Sequence, residues 1–423
     1  MKKILVISWF FPPVNSSEGL VTYKLINNSK YEYDVFTQHN NSLWSYSNDD
    51  NLDLNKNINC IYSTANNLTN FVDDAYEYYL ANSSKYDIVM TRSMPEESHI
   101  IGLKIKMFNP NIYWIASFGD PIGRNPFTLK SIKSDCYNSL KNRYVRNFTL
   151  KEIVSIKRIL NSFKEKIKYT KNYNLFVKNK NRLEHKILKN ADSIICNNSY
   201  EMNYLCKNNG IKDNNKFLIL PHSYDLKLYT GNVVKNDKIV FRYIGHLDNI
   251  RTPRMLFEAI KLLKNKDANI SSRVVFEFYG NLNQLDKDYV KNNGLEDIII
   301  INSSVKYVES LRLMKESDWL IHIDANLYDL LNENIFFAAK LADYIGYGKN
   351  ILGITMLDGI SADILRDINA LTLTYSVSNI YTYLYLIIYT DFKCKINDKK
   401  RNKYDAVEVA KLFDNFISDI LRR

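Results

Sequence analysis

The sequence predicts an α/β protein of two doubly wound parallel sheets facing each other across a cleft. Three observations carry that expectation. Short apolar runs recur along the chain: “KILVIS”, “YDVF”, “YDIVMTR”, “IYWIASF”, “DSIICNN” and “FLILP”, then “KIVFRYIG”, “RVVFEFYG”, “DIIIIN”, “DWLIHID” and “NILGIT”. They are apolar on both faces, as strands of a sheet covered on both sides must be. Helical patterns lie between them: “TPRMLFEAIKLLKN” sets Met255, Leu256, Ile260 and Leu263 on one side, and “VESLRLMKESD” does so with Val308, Leu311 and Met314. The alternation halts once, in the polar stretch 221–238 with Pro221 and Gly231, and then restarts. A chain of 423 residues is long enough for about two domains.

In order, the chain opens with “MKKILVISWFFPPV”. Two lysines before apolar residues imitate a secretion signal, but no small-residue cleavage site follows, so Ile4 to Ser8 reads as a first buried strand stopped by Pro12 and Pro13. Residues 1–225 make the first domain and 226–404 the second. The amphipathic stretch 405–423 is expected to fold back onto the first. The five cysteines (Cys60, Cys136, Cys196, Cys206, Cys394) are odd in number and form no CxxC pair. They read as reduced thiols of a cytoplasmic protein, with no zinc site. The apolar run “IYTYLYLIIYT” is far too short to span a membrane.

Residues 124–190 differ from the rest. They hold 18 Lys and Arg against four acids, a net charge of +14, whereas the whole chain carries +11 and its remainder therefore −3. Ile153, Ile156, Ile159, Leu160 and Phe163 recur inside it at helical spacing. A basic amphipathic helix is a surface for anionic partners, here an anionic membrane face. The aromatics follow the helical apolar pattern rather than an RNA-binding motif, so no nucleic-acid partner is expected.

Ligands of open parallel sheets bind beyond the carboxyl ends of the strands. After the first strand, “WFFPPVNSSEGL” could bring backbone N–H groups near Ser16, Ser17 and Gly19 to an anion, or could be an ordinary strand-to-helix turn. The second half opens with “YIGHLDNIRTPRMLFEAI”. Gly245 permits a sharp turn, His246 could add a donor, and Arg251 stands just before a Thr-Pro helix start, where a guanidinium suits a diphosphate. In “FFAAKLADYIGYGKNILGIT”, Lys340 and Asp343 share one helical face before the Gly346–Gly348 turn. Alone, they read equally well as a solvated ion pair.

Together these stretches resemble the retaining glycosyltransferases of GT-B architecture, particularly glycosyltransferase family 4. Many of those carry Lys-Leu-x-Glu/Asp-Tyr, then Gly-Lys/Arg-Pro and a strand. Here the residues are Lys340, Leu341, Ala342, Asp343, Tyr344 and then Gly348, Lys349, Asn350. “DGISADIL” with Gly359, Ser361 and Ala362, “VKYVESLRLMKESDWLIHID”, “ILPHSYD” and “WFFPP” also look like that family, in the right order along most of the chain. Two positions depart from it. Ile335 stands where many relatives have the first of two acids seven residues apart, and His246 where many have Arg.

The resemblance implies a nucleotide-diphosphate sugar as donor substrate, bound in the cleft without a cofactor or metal. Arg251, Lys340 and the Gly19 loop would stabilise the departing diphosphate. Ser17, Gly245, His246, Leu341 and Ser361 would complete the donor site, and Asp343 would accept hydrogen bonds from the ribose. Asp120, in “SFGDPIGRNP”, matches an acid that relatives often place on the cleft floor. The implied reaction is sugar transfer with retention to a saccharide or lipid-linked acceptor, in bacterial surface polysaccharide synthesis at the inner face of the membrane. Two other readings stand beside it: a catalytically silent subunit of this architecture, and a nucleotide-sugar epimerase, against which the six histidines count.

Overall fold

The computed structural model describes residues 3–38, 48, 49, 52–130, 156–229 and 236–422, with residues 156–172 as backbone only. Within the basic segment, residues 131–155 lie outside the described residues, Ile153 and Cys136 among them, as does Gly231.

Two parallel sheets organise the chain. The first contains β1 (Lys3–Ser8), β2 (Tyr33–Gln38), β3 (Ile58–Ser63), β4 (Tyr86–Arg92), β5 (Tyr113–Ser117), β6 (Ser193–Cys196) and β7 (Phe217–Ile219), in the order β3-β2-β1-β4-β5-β6-β7. The second contains β8 (Ile239–Ile244), β9 (Val274–Tyr279), β10 (Ile299–Asn302), β11 (Trp319–Ile323), β12 (Asn350–Ile354) and β13 (Leu371–Leu373), in the order β10-β9-β8-β11-β12-β13. The strand order reverses between β1 and β4, and again between β8 and β11. Such reversals open crevices at the carboxyl ends of the strands. The expected α/β class with two doubly wound sheets is therefore the fold observed.

Burial explains why these runs are strands. Every residue of β1 after Lys3 is buried, as is all of β2, because helices cover both faces. The sequence reading missed β3 and β13. β3 lies at a sheet edge and alternates buried with exposed residues (“INCIYS”), and β13 has only three residues, so neither shows a continuous apolar run.

Helices α1 (Ser17–Asn27), α2 (Leu68–Asn82), α3 (Glu97–Phe108), α4 (Ile156–Asn190) and α5 (Ser199–Asn209) belong to the first sheet. Around the second lie α6 (Arg254–Lys266), α7 (Gln284–Asn292), α8 (Tyr307–Lys315), α9 (Ala339–Tyr347), α10 (Ile360–Asp367) and α11 (Val377–Thr390). On α6, Leu256, Ile260 and Leu263 are buried as their spacing predicts, but Met255 lies on the open side. No helix among the described residues is long and apolar enough to cross a membrane.

One apolar cluster runs through both halves, joining Leu20 and Tyr23 of α1 to Ile244, Tyr307 and Leu341. The last helix, α12 (Ala406–Arg422), buries Val409, Phe413 and Ile417 in that cluster. Its Asp414 accepts hydrogen bonds from Ser29 Oγ (2.5 Å) and the Lys30 amide (3.0 Å), which pins the chain's end to the first domain.

Candidate functional site: the cleft between the sheets

A cavity of about 630 Å³ lies between the two sheets at the carboxyl ends of β1 and β8. The first turn of α1 contributes Ser17 and Glu18, and the loop after β5 contributes Gly119 and Asp120. The second domain contributes Gly245, His246 and Arg251 after β8, Asp324 after β11, and Lys340 and Asp343 from α9. Seven of the ten residues singled out in the sequence thus meet on one cavity wall or the other: Ser17, Asp120, Gly245, His246, Arg251, Lys340 and Asp343.

The other three lie behind the wall. Gly19 is buried, and a Cβ there would sit 3.1 Å from the Phe10 and Phe11 backbone, so this glycine lets α1 pack closely on the preceding loop. Leu341 points into the apolar cluster shared by the domains. Ser361 is buried in α10, with its hydroxyl donating to Phe336 O at 3.4 Å.

Lys340 and Asp343 do not pair with each other. Lys340 Nζ donates to Tyr243 Oη at 2.5 Å and rests 4.0 Å from the Tyr243 ring centroid. It fits against Gly245, where a Cβ would come within 2.6 Å of the ammonium, so only glycine (φ +133°) leaves the space. Burial, and then the neighbouring Arg251 guanidinium, hold the Lys340 ammonium well below the ordinary lysine range. Arg251 is oriented by its backbone, whose amide donates to Asp248 Oδ1 at 2.7 Å, while its guanidinium lies over the Phe127 ring. Its Nε is buried with no hydrogen-bond partner among the described residues.

Asp343 is almost fully buried and joins the domains. Its Oδ1 accepts from Lys24 Nζ of α1 at 2.6 Å and from Tyr307 Oη at 3.0 Å, and Lys24 also donates to Ser223 O at 3.0 Å. Burial pushes the Asp343 carboxyl up while Lys24 and Tyr307 pull against it; the net position is above the usual carboxylate range. The Asp343 backbone is fixed too, since Tyr229 Oη donates to its carbonyl at 3.0 Å and the next residue, Tyr344, receives the Ile244 amide at 3.1 Å.

Two carboxylates face the cleft from the first domain. Glu18 is gripped by Arg92 through Nε (2.9 Å) and Nη2 (2.7 Å), and Arg92 is itself anchored by Ser117 and Phe118 O. A Cβ at Gly119 would lie 2.5 Å from the Glu18 carboxylate, so glycine there admits the acid. Burial and the Glu18 charge raise the adjacent Asp120 to about 7, against the pull of Arg92 and Arg251. On the opposite wall, burial alone would raise Asp324, but the His322 ring, with Nε2 3.0 Å from Oδ1, and the Thr355 hydroxyl draw it down to about 2. The cleft therefore sets Glu18 and Asp120 of the first domain across from Arg251 and Lys340 of the second, with the Asp324 carboxylate standing beside that basic pair.

The sequence reading passed over Lys24, Glu18, Arg92, Tyr243 and Asp324. Lys24 left a trace. It falls four residues after Leu20 and beside Tyr23 on the apolar side of α1, where a lysine is costly unless paired.

No protein-family model matches the chain, and no curated protein matches its sequence. Solved structures do match its fold. Sucrose-phosphate synthase from Thermosynechococcus elongatus superposes with a TM-score of 0.66 at 11% identity, covering all of both chains. A glycosyltransferase from Rickettsia africae gives 0.60 at 15% identity, covering 100% of this chain and 99% of that one. A UDP-N-acetylglucosamine 2-epimerase gives 0.53 at 11%, covering 100% and 97%. The architecture they share with this chain is GT-B: two Rossmann-like domains around a cleft.

The bridge between domains can be measured. Lys24→Met removes one partner of a buried pair, and breaking such a pair costs about 3–5 kcal/mol. Urea denaturation should show that loss, and the double variant Lys24→Met/Asp343→Asn should recover most of it. Equal midpoints for wild type and Lys24→Met would show that the pair contributes nothing.

Proposed function

We propose that this protein is a retaining glycosyltransferase that moves a sugar from a nucleotide-diphosphate sugar to a saccharide acceptor. The polarity of the cleft carries the reading. One wall offers Arg251, with an unpartnered Nε, beside Lys340 and the Gly245 turn; the other offers Glu18 and Asp120. A donor diphosphate fits the first wall and acceptor hydroxyls the second.

In this reading the bond from the sugar's anomeric carbon to the diphosphate oxygen breaks as Arg251 and Lys340 take up the charge developing there. The acceptor oxygen bonds to the same face of that carbon, and its proton passes to the leaving diphosphate. Positive side chains hold the charge, so the reading assigns no metal. Asp343 Oδ2, which Lys24 and Tyr307 leave available, is the acceptor for the ribose. The acceptor is lipid-linked and belongs to bacterial surface polysaccharide synthesis. The +14 segment 124–190 keeps the enzyme on the anionic inner membrane face, where each Lys or Arg near the surface contributes about 1 kcal/mol.

Incubation with UDP-, GDP-, ADP- and CMP-sugars, with thermal shift and product analysis, tests the reading. Slow release of free sugar and nucleoside diphosphate supports it, an epimerised nucleotide sugar points instead to an epimerase, and inertness with every donor to a silent subunit. Arg251→Ala should lower turnover by about 10²-fold, the cost of losing one preorganised donor to a developing charge, with little change in melting temperature. Arg251→Lys should also be impaired, because an ammonium lacks the planar fork; full turnover in both variants would remove Arg251 from the mechanism.

Lys340 gives a second test. Its depressed affinity for protons is relieved when a diphosphate arrives, so binding of the cognate nucleoside diphosphate should be accompanied by proton uptake. Calorimetry in two buffers of different ionisation enthalpy reads this uptake, and Lys340→Met should abolish it. A third concerns Asp120, whose carboxyl releases its proton at about pH 7 and serves the acceptor hydroxyl as the carboxylate. Transfer should therefore fall as pH drops through 7, and Asp120→Asn should be slow and flat across that range. A wild-type profile flat from pH 6 to 8 would count against the role.

A further inference from the structure

A second cavity, of about 750 Å³, lies on the first domain outside the donor cleft. Its described lining consists of Arg124, Lys178, Arg182, His185 and Lys186, the amides Asn174, Asn181, Asn208 and Asn209, and Val177. Among the described residues, no carboxylate lines it and Arg124, Lys178, Arg182 and Lys186 form no ion pair. Lys178, Arg182 and Lys186 recur every four residues, which puts them on one face of α4. Like charges at that spacing repel one another, so a fold gains nothing from them without an anion between.

The cavity is built, not merely basic. Glu184, on the buried side of α4, accepts from the amides of Ile122 and Gly123 at 2.8 Å each and from Asn209 Nδ2 at 2.8 Å. Those bonds clamp the loop after β5 and the end of α5 around α4. Arg124 is held in the left-handed region (φ 48°), with its carbonyl receiving Tyr204 Oη at 2.7 Å. Asn208 Nδ2 is buried with no acceptor among the described residues. An orphaned amide donor among four cationic side chains is the chemistry of an oxyanion site.

We infer that this cavity binds the phosphate or diphosphate group of the acceptor while the acceptor's sugar reaches Asp120 in the cleft. The inference rests on the proposed transfer reaction and names its acceptor class, a saccharide phosphate or diphosphate ester. Arg124 and Asp120, which line the two cavities, belong to one loop four residues apart, so their backbones are at most about 14 Å from each other. That span matches a sugar joined to a phosphate group.

Inorganic pyrophosphate, titrated calorimetrically at low salt, is the direct probe. Wild type should bind it at two places. One is emptied by excess of the cognate nucleoside diphosphate and is lost in Arg251→Ala. The other persists under excess nucleotide and should weaken at least tenfold in Arg182→Gln/Lys186→Gln. Lys189→Gln, on the same helix outside the cavity, should leave it intact, which excludes a mere effect of net charge. A short-chain prenyl diphosphate and a sugar phosphate, each competing against pyrophosphate, tell a lipid-borne group from a free one. Transfer to the preferred of the two should show a raised KM in Arg182→Gln/Lys186→Gln with unchanged donor hydrolysis. Absence of a nucleotide-resistant pyrophosphate site, or equal binding by wild type and the Arg182/Lys186 variant, overturns the inference. Loss of donor hydrolysis in the wild type would instead overturn the transferase reading and leave the anion site measurable.

Discussion

The pair formed by Lys24 and Asp343 is the interaction on which the working geometry depends. It is the point at which the first helix of one domain meets the helix that lines the other domain's half of the cleft. Charges so deeply buried are unfavourable unless they are well partnered, and here the Ser223 carbonyl and the Tyr307 hydroxyl reinforce the ion pair. The network fixes the spacing of two walls whose charges must face each other. An apolar contact would hold the domains as firmly but would tolerate sliding. An ammonium held between two acceptors does not, because a shift of one ångström leaves a buried charge bare.

The two walls are matched in a second way. Burial, and then the like charge of Arg251 beside it, lower the proton affinity of Lys340. Across the cavity, Glu18 and Asp120 crowd two carboxyls, and one of them holds its proton almost to neutrality. On both walls, then, burial and a neighbour of like charge weaken the charged form of one member of a pair.

Much of this was legible in the sequence. The runs apolar on both faces mark the central strands because helices cover both sides of the sheets, and strands such as “KILVIS” and “DWLIHID” sit where their patterns put them. β3 and β13 escaped because edge strands need only half an apolar face. For the cleft, Gly245 and Arg251 stood out from local chemistry, beside a glycine turn and a helix start, whereas Lys340 and Asp343 stood out only through the family resemblance. Those whose role comes from a distant partner did not stand out. Arg92 lies 74 residues from Glu18, and Lys24 lies 319 from Asp343, separations at which no local pattern exists. Gly19 and Ser361 stood in suggestive loops, yet their neighbours in space turned them inward.

Gly245 and Gly280 lie side by side in the second domain's wall of the cleft, and each excludes a side chain for its own reason. Both hold a positive φ, and a Cβ at Gly280 would run into the Gly245 carbonyl, while a Cβ at Gly245 would strike Lys340. Variation in what this part of the cavity presents is therefore left to neighbouring side chains such as His246, Ser304 and Val305, which line it without shaping its backbone.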